Sequence, residues 1–257
     1  MKKLISLCLA MTMLLGSMVG CGKTPTSSSG NPSNSEGGGL GTPQTFKFGL
    51  TVASTHPYSI AAQNFAELVE EKSGGNMTVD LYYDSSLGDD AALMESMQMN
   101  AVTFALVGPA GIAPMCPIYE FFDLPCLFAT RDAAYAFQES EPVLELMDSL
   151  SANGLRGLGF YENGYYAISN NAKEITTVDG LNNLKLRSMT SEMAIKSWEC
   201  LNVQPVAMAF GELFMAMQTG TVDGQETTIG SFYTSKFYEV QKYLTLANRI
   251  YHTMTFL

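Results

Sequence analysis

The stretch that decides the fold is Leu184–Phe210, LKLRSMTSEMAIKSWECLNVQPVAMAF. Its two ends, residues 184–189 and 206–210, have the length and apolar content of strands, and residues 191–201 between them have the spacing of an amphipathic helix. Two strands that are joined through a helix lie parallel in one sheet. The stretch therefore predicts an α/β fold.

The same alternation extends over most of the chain. Before the stretch, strands are predicted at 45–51, 77–83, 101–107, 155–161 and 166–169, and helices at 59–72, 91–100, 131–139 and 142–152. After it, helices are predicted at 212–219 and 235–243, and residues 253–257 form an apolar run. Glu162-Asn163-Gly164 divides two of the strands as a turn would. Strands that alternate with helices favour an α/β fold with mostly parallel sheets.

The first 45 residues have the features of an export and anchoring segment. Lys2 and Lys3 precede an uncharged apolar stretch that is too short to span a membrane comfortably. Met18-Val19-Gly20-Cys21 resembles the lipobox of bacterial lipoproteins, although an ordinary signal peptide with a chance cysteine is an alternative. We therefore expect a signal peptide at 1–20, a lipid on Cys21 and a flexible Gly/Ser/Pro tether at 21–45. The expected location is extracytoplasmic and lipid-anchored, in the periplasm or on the outer face of the plasma membrane.

Composition excludes several classes of function. A net charge of −11 argues against nucleic acid as a partner and against a polybasic membrane signal. Beyond Cys21 the chain keeps Cys116, Cys126 and Cys200, which cannot all pair; a Cys116–Cys126 bridge is open, but buried free thiols are favoured. Two histidines and no CxxC motif predict neither a metal site nor a cofactor.

Enzyme signatures are missing from the sequence. It contains no G-x-S-x-G elbow, no G-x-G-x-x-G after a strand and no H-E-x-x-H. With His56 and His252 as the only imidazoles, a Ser–His–Asp arrangement has few ways to form. The acidic pairs Glu70-Glu71 and Asp89-Asp90 are typical of helix ends and solvated faces. The sequence predicts a protein that is not an enzyme.

Arg187 is the most informative single residue. It closes the strand 184–187, and ligands of open α/β sheets bind beyond the carboxyl ends of the strands. A guanidinium can hold a carboxylate through two parallel hydrogen bonds, which lysine cannot do. An exposed arginine at a strand end fits the pattern equally well. Phe210, at the corresponding end of the next strand, is a core residue or a ligand wall.

Several short motifs occur together in the order of a known family. They are Phe48-Gly49, Thr55-His56-Pro57, Ser86–Asp90, Gly180-Leu181, Leu184–Arg187, Pro205–Phe210 and Leu213–Leu244. From about residue 46 to 257 the chain resembles the solute-binding proteins of TRAP transporters, the DctP-type dicarboxylate-binding family. The resemblance implies a two-lobe periplasmic-binding-protein-like fold with a ligand cleft between lobes at 46–163 and 164–257. It also implies a monomer that captures a small organic acid and delivers it to a membrane permease.

The resemblance also assigns site residues. Arg187 falls on the arginine that grips the ligand carboxylate, and Phe210 falls on the aromatic that packs over the ligand. Thr51, Asp89 and Gly108 come from the first lobe. His56 belongs to the matching loop before the first helix.

Two departures from the family bear on the solute. Tyr166 stands where many members carry a second arginine, and Thr227-Thr228 stands where many carry Asn-Pro. We therefore expect Tyr166 and Thr227 to border the ligand. Their chemistry leaves room for a monocarboxylate with an apolar or hydroxylated body.

Two questions remain open at the level of the sequence. Family members continue past residue 257 with further helices, so the chain is expected to be C-terminally truncated with an incomplete first lobe. The alternatives to a transport function are a ligand sensor that feeds a receptor and an extracytoplasmic hydrolase.

Overall fold

The computed structural model describes residues 42–257. The predicted signal peptide at 1–20, the predicted lipidation site Cys21 and most of the predicted tether lie outside these residues. The first strand begins at Gln44, so the last two residues of the predicted tether, Gln44 and Thr45, belong to the folded part of the chain.

The described residues form nine strands and eight α-helices. The strands are β1 (Gln44–Gly49), β2 (Met77–Tyr82), β3 (Phe104–Val107), β4 (Gly159–Asn170), β5 (Lys185–Ser188), β6 (Gln204–Ala207), β7 (Gly224–Thr228), β8 (Tyr243–Thr245) and β9 (Tyr251–Phe256). The helices are α1 (Pro57–Lys72), α2 (Asp90–Gln98), α3 (Pro109–Ile112), α4 (Arg131–Gln138), α5 (Glu141–Ser149), α6 (Glu192–Glu199), α7 (Leu213–Gln218) and α8 (Ile229–Thr234). Short 3-10 segments occur at Pro117–Asp123, Leu150–Asn153, Val178–Leu181, Phe210–Glu212 and Phe237–Glu239.

The strands form one mixed sheet in the order β2-β1-β3-β9-β4-β7-β5-β6, with β8 paired to β4. The α/β fold is confirmed, but the sheet is not mostly parallel. Strand β1 runs parallel to β2 and β3, and β5 runs parallel to β6 and β7. Strands β4 and β9 pair antiparallel with each other and with their other neighbours. The periodicity of a strand does not reveal its direction, and these two strands run against the rest.

Strand β4 runs through both halves of the molecule. Its first part, from Gly159 to Tyr165, pairs with β9, and its second part, from Tyr166 to Asn170, pairs with β7. We call β1–β3, β9 and α1–α5 the first lobe, and β5–β8 and α6–α8 the second lobe. The division at 163/164 stays a prediction, and β9 departs from it, because its pairing with β3 joins the last strand to the first lobe.

The predicted turn at residues 162–164 is a β-bulge inside β4. The register with β9 shifts between Glu162 and Gly164, and Gly164 has a φ of 102°, a conformation that a side chain disfavours. One strand therefore replaces the two that were predicted at 155–161 and 166–169. The bulge also turns Asn163 toward the space between the lobes, where it borders a cavity.

In the second lobe, one predicted helix is wrong and strand β7 was missed. The predicted helix 235–243 contains only the 3-10 segment Phe237–Glu239, because Lys236 adopts a left-handed φ of 56° and breaks the helix. Strand β7 was not predicted, since its sequence GQETT has no apolar pattern although all five residues are buried. Their burial depends on partners that lie far away in the sequence.

Apolar clusters fill both lobes. In the first lobe Phe48 of β1 stacks on Phe256 of β9, with ring centroids 5.3 Å apart. In the second lobe Trp198 and Leu213 are at the centres of two further clusters. Phe210 packs against clusters of both lobes. This shared side chain connects the two cores.

The predicted burial of the thiols is wrong. Cys116, Cys126 and Cys200 are all free, but Cys116 is only half-buried and both Cys126 and Cys200 are exposed. Within residues 42–257, no helix has both the length and the apolar character that crossing a membrane requires.

Candidate functional site

A cavity of about 680 Å³ lies between the lobes. This volume is within the range of pockets that bind small molecules, about 300–1,000 Å³. Seven of the eight predicted ligand residues line it: Thr51, Asp89, Gly108, Tyr166, Arg187, Phe210 and Thr227. The structure thus brings together residues that are spread over about 180 positions of the sequence, and only His56 is not in the lining.

Arg187 occupies the carboxyl-terminal half of β5, between Val206 of β6 and Gln225 of β7. Only 6% of its surface is exposed, and burial lowers the pKa of its guanidinium. Its one hydrogen bond with the described residues runs from Nε to the carbonyl of Met208, at 3.1 Å. Arginine stays protonated in proteins, so this is a buried cation whose two terminal nitrogens are free to donate. Such a group binds a carboxylate through parallel hydrogen bonds.

Glu226, an acidic residue of the neighbouring strand β7, does not form an ion pair with Arg187. Glu226 of β7 is buried and bound instead by Arg249, whose Nε lies 2.9 Å from Oε2 and whose second terminal nitrogen bonds Oε1. The Arg249 guanidinium also lies 3.9 Å from the centre of the Trp198 ring. This closed pair neutralises the carboxylate of Glu226 and leaves Arg187 available to a ligand.

Tyr166 and Thr227 present neutral groups at the positions where the resemblance offered an arginine and an asparagine. The Tyr166 ring is buried and stacks on His252, with centroids 4.9 Å apart, and its hydroxyl donates to Sδ of Met189 at 3.6 Å. Thr227 is buried in β7 opposite Ala167 of β4. Arg187 is therefore the one positively charged side chain among the described residues that line the cavity.

Phe210 lines the cavity from a different element than predicted. Strand β6 ends at Ala207, and Phe210 begins the 3-10 segment three residues later. Its ring packs edge-on against Phe237, with centroids 5.7 Å apart. The aromatic wall is thus held by the core of the second lobe.

The first lobe contributes loop and helix-terminus residues. Thr51 follows β1, and its carbonyl accepts a hydrogen bond from Ser85 at 3.3 Å. Asp89 caps α2, since its Oδ1 accepts from the amide of Ala92 at 2.9 Å. The amide of Gly108, after β3, donates to Oδ2 of Asp90 at 3.1 Å.

Gly108 is in a position where a side chain would be tightly packed. An added Cβ would lie 3.2 Å from Oδ2 of Asp90 and 3.4 Å from Nε2 of His252. These two contacts also show that Asp90 and His252 meet at this glycine. Neither residue was predicted as a ligand residue, and both line the cavity.

His56 reaches the cavity only through a neighbour. It caps α1, where its Nδ1 accepts from the amide of Tyr58 at 3.3 Å, and its Nε2 lies 3.1 Å from Oγ of Ser231. Since Nδ1 is the acceptor, the ring proton is on Nε2 and is donated to Ser231. Burial lowers the pKa of His56 to about 4, so the ring is neutral at pH 7. Ser231, from α8 of the second lobe, lines the cavity.

His252 is oriented by the bulge in β4. Oδ1 of Asn163 accepts a hydrogen bond from the Thr228 hydroxyl at 3.0 Å, so its amide nitrogen donates to Nδ1 of His252 at 3.1 Å. The proton of His252 is therefore on Nε2, beside Gly108. Burial lowers the pKa of His252 to about 3, with a further contribution from Arg187. No local pattern in the sequence indicates this role, because His252 directly precedes the apolar run 253–257.

The arrangement offers no metal site within the part of the chain that the structure describes. In residues 42–257, no group of three or more His, Cys, Asp or Glu side chains could hold a metal ion. The cavity instead combines one buried guanidinium with neutral donors and hydroxyls, four acidic side chains and an aromatic wall.

The comparison with known families decides the class of protein. The model of the bacterial extracellular solute-binding protein family 7, DctP, matches residues 48–257. The chain belongs to this family. The family is a solute-binding component of transport systems and works outside the cytoplasm. The resemblance drawn from the short motifs is confirmed.

Family 7 relatives of this chain are found in sequence and in structure. The C4-dicarboxylate-binding protein DctB of Bacillus subtilis is 34% identical over 80% of this chain and 59% of its own length. The 2,3-diketo-L-gulonate-binding periplasmic protein YiaO of Escherichia coli is 31% identical over 81% of this chain and 63% of its own length.

A solved family 7 structure is also similar. The sugar acid binding protein DctPAm of Advenella mimigardefordensis, in complex with galactonate, has a TM-score of 0.82 and 38% identity over 84% of this chain and 69% of that one. The predicted two-lobe fold of the solute-binding kind is confirmed. The chain spans about 60% of the length of the curated relatives that it matches.

Proposed function

We propose that this protein captures a small organic acid outside the cytoplasm and delivers it to the membrane permease subunits of a TRAP-type transporter. The observation that carries the proposal is Arg187, a buried cation in an inter-lobe cavity with two free terminal nitrogens. A buried charge is stable only when it is paired, and a carboxylate with its two oxygens is the matching partner. The similar proteins are named for a C4-dicarboxylate, diketogulonate and galactonate, all of which bear a carboxylate.

The protein binds its solute and does not transform it. The pairing of His56 with Ser231 is the described contact that most resembles a catalytic base and nucleophile. This hydrogen bond runs in the opposite direction to the one that catalysis requires. Nε2 of His56 already carries the proton and donates it, because Nδ1 accepts from Tyr58. A ring whose pKa is about 4 is also a weak base at pH 7.

Arg187→Lys is the direct test of the proposed function. Lysine keeps the charge but replaces a two-pronged donor with a single ammonium, and the lining offers no other cation. A charge-assisted hydrogen bond contributes about 1.5–3 kcal/mol, so losing one or two should weaken binding roughly ten-fold to several hundred-fold. Isothermal titration calorimetry with organic acids would measure the change.

The matched control is Arg156→Lys, an arginine on the exposed surface of the first lobe. This variant should bind like the wild-type protein, and both variants should keep the wild-type melting temperature. An affinity of Arg187→Lys within about two-fold of the wild type would contradict the proposal, since so small a change is below the contribution of one hydrogen bond.

We also infer a lipid anchor on Cys21, which together with a tether of small polar residues would hold the binding unit at the membrane surface. The support is the lipobox-like sequence Met18–Cys21 and a net charge that gives no electrostatic attraction to anionic lipids. Metabolic labelling with a fatty-acid analogue tests the inference. A protein that stays unlabelled when exported would contradict it.

A further inference from the structure

The cavity has an excess of acidic side chains. Its charged lining residues, among those that the structure describes, are Arg187, Asp89, Asp90, Glu120 and Glu192. One cation can neutralise one carboxylate of a solute. A second carboxylate would enter a site with no remaining cation and with four acids around it, where like charges repel.

Three of the four acids already have a partner. Asp89 caps α2 through Oδ1. Oε1 of Glu120 accepts from the amide of Glu192 at 3.0 Å, and Glu192 itself pairs with Lys196 on the surface. These three side chains are explained by the local structure of the protein.

Asp90 differs from them because one of its two oxygens is buried without a partner in the described part of the chain. Its Oδ2 accepts from the amide of Gly108 at 3.1 Å, which fixes the orientation of the carboxyl group. Its Oδ1 is buried and has no hydrogen-bond partner among the described residues. A buried acceptor without a donor destabilises the state that contains it, and a hydroxyl group of a ligand can supply that donor. Neutral donors on a solute are therefore favoured here over a second anion.

We propose that Asp90 determines the specificity of the site, accepting hydrogen bonds from hydroxyl groups of the solute and repelling a second carboxylate, so that the solute is a hydroxylated monocarboxylate. This rests on the proposed function, in which Arg187 holds the carboxylate. Asp90, and not the helix-capping Asp89, then contacts the hydroxylated body of the solute.

The groups that face Asp90 are consistent with this role. They are Asp89 on its own helix, Tyr58 of α1, Arg187 of β5 and His252 of β9. His252 is neutral and carries its proton on Nε2, and burial raises the pKa of Tyr58. Burial also raises the pKa of Asp90 to about 6, while the Gly108 amide opposes this shift. At pH 8 the carboxyl is therefore ionised, and near pH 5.5 it is mostly protonated.

The first experiment uses calorimetry to measure the affinity of the purified protein for two classes of organic acid. Galactonate and erythronate represent hydroxylated monocarboxylates, and succinate and fumarate represent dicarboxylates. The wild-type protein should bind at least one of the monocarboxylates roughly 100-fold more tightly than either dicarboxylate.

Asp90→Asn should weaken monocarboxylate binding about five- to ten-fold, because a charge-assisted hydrogen bond becomes a neutral one. It should strengthen dicarboxylate binding about ten-fold, because the repulsion is gone. Glu95→Gln, at an exposed position of the same helix and outside the cavity lining, is the control and should leave both affinities unchanged.

A second experiment uses the wild-type protein and so does not depend on the folding of a variant. Fumarate is the dicarboxylate of choice, since its carboxyl groups are stronger acids than those of succinate. Lowering the pH from 8 to about 5.5 protonates Asp90, so fumarate binding should strengthen and the preference for the monocarboxylate should shrink. In Asp90→Asn this pH dependence should be absent.

The outcomes separate this inference from the function on which it rests. A wild-type protein that prefers succinate or fumarate, or an Asp90→Asn variant that is folded and keeps the wild-type ratio of affinities, would overturn the role of Asp90. Either result leaves Arg187 and acid binding intact. A wild-type protein that binds none of the four acids, or an Arg187→Lys variant that binds them normally, would overturn the proposed function itself.

Discussion

At the scale of single residues, the two histidines have the same fixed tautomer. Each ring accepts a hydrogen bond on Nδ1 and carries its proton on Nε2, from which His56 donates to Ser231, while Nε2 of His252 lies beside Gly108. Burial lowers both pKa values, so both rings are neutral at pH 7. A neutral donor next to Arg187 can bind a ligand oxygen without adding a second charge to the site.

Asp123 carries a buried charge that costs stability at neutral pH and above. It is fully buried in the 3-10 segment before α4, and burial raises the pKa of its carboxyl from 3.8 to about 7, with Ser191 opposing the shift. The folded state therefore binds a proton between these pH values that the unfolded state has lost. The free energy of unfolding is therefore highest below about pH 4 and falls as the pH rises from there through 7. Asp123→Asn removes the charge and should stabilise the protein at pH 8 by about 2–4 kcal/mol.

Urea unfolding at pH 8 and pH 4 measures this effect. The advantage of Asp123→Asn should disappear at pH 4, where the wild-type carboxyl is protonated. Asp148→Asn, at an exposed position of α5, should match the wild-type protein at both pH values. A variant that is equally destabilised at pH 8 and pH 4 would show that the packing of Asp123 matters and that its charge does not.

The sequence identifies some residues of the site and cannot identify others. Arg187 could be predicted because arginines are few and this one closes a strand. Asp89 and Asp90 are chemically identical neighbours in the sequence. Their difference comes from the amide of Gly108, 18 residues later, which orients Asp90 toward the cavity lining. No local pattern contains that contact.

At the scale of elements, the bulge in β4 positions Asn163. Gly164 has a φ of 102°, which glycine adopts freely and alanine does not. Gly164→Ala should therefore lower the free energy of unfolding by about 1–3 kcal/mol. It should also weaken solute binding, because Asn163 orients His252 in the cavity. Denaturant unfolding and calorimetry measure the two effects.

Gly159 of the same strand is the matched control. It has an ordinary backbone conformation, and an added Cβ would meet nothing within 4 Å. Gly159→Ala should stay within about 0.5 kcal/mol of the wild type and bind normally. If both variants lose the same stability, the left-handed conformation at Gly164 is not the cause.

Strand β7 shows where prediction of elements from the sequence reaches its limit. Most strands of the first lobe and the β5-α6-β6 unit are found within a few residues, because their apolar positions repeat with a regular period. GQETT has no such period. Its burial is stabilised by the bonds of Glu226 with Arg249 and of Gln225 with Ser169, over separations of 23 and 56 residues. Contacts between residues so far apart cannot be recognised from a short segment of the sequence.

At the scale of the whole molecule, the lobes are connected in two different ways. Strand β4 belongs to both lobes and forms a covalent and hydrogen-bonded link between them. The hydrogen bond from His56 to Ser231 instead joins the start of α1 to α8 from side chain to side chain. The first link persists when the lobes move apart, whereas the second exists only while they are close. We therefore expect the His56–Ser231 bond to stabilise the closed form around the solute.

Ser231→Ala removes this bond and should shorten the time for which the solute stays bound. The amide of residue 231 still bonds Thr228, which in turn still bonds Asn163, although the contacts of the Ser231 hydroxyl with these two side chains are lost as well. One net hydrogen bond contributes about 0.5–1.5 kcal/mol, so the dissociation rate should rise about two- to ten-fold. The association rate should change little, because the open form does not contain the bond. Stopped-flow measurements can follow both rates through Trp198, the one tryptophan of the chain.

Ser151→Ala, at an exposed position outside the cavity lining, is the control and should leave both rates unchanged. The two rates of Ser231→Ala discriminate between closure and simple contact with the solute. A slower association with an unchanged dissociation rate would place the effect of Ser231 before closure, on the encounter with the solute, and would contradict a bond that forms only in the closed molecule. A faster dissociation that His56→Ala reproduces, and that the double variant does not increase further, would be the expected result, since both changes remove the same bond.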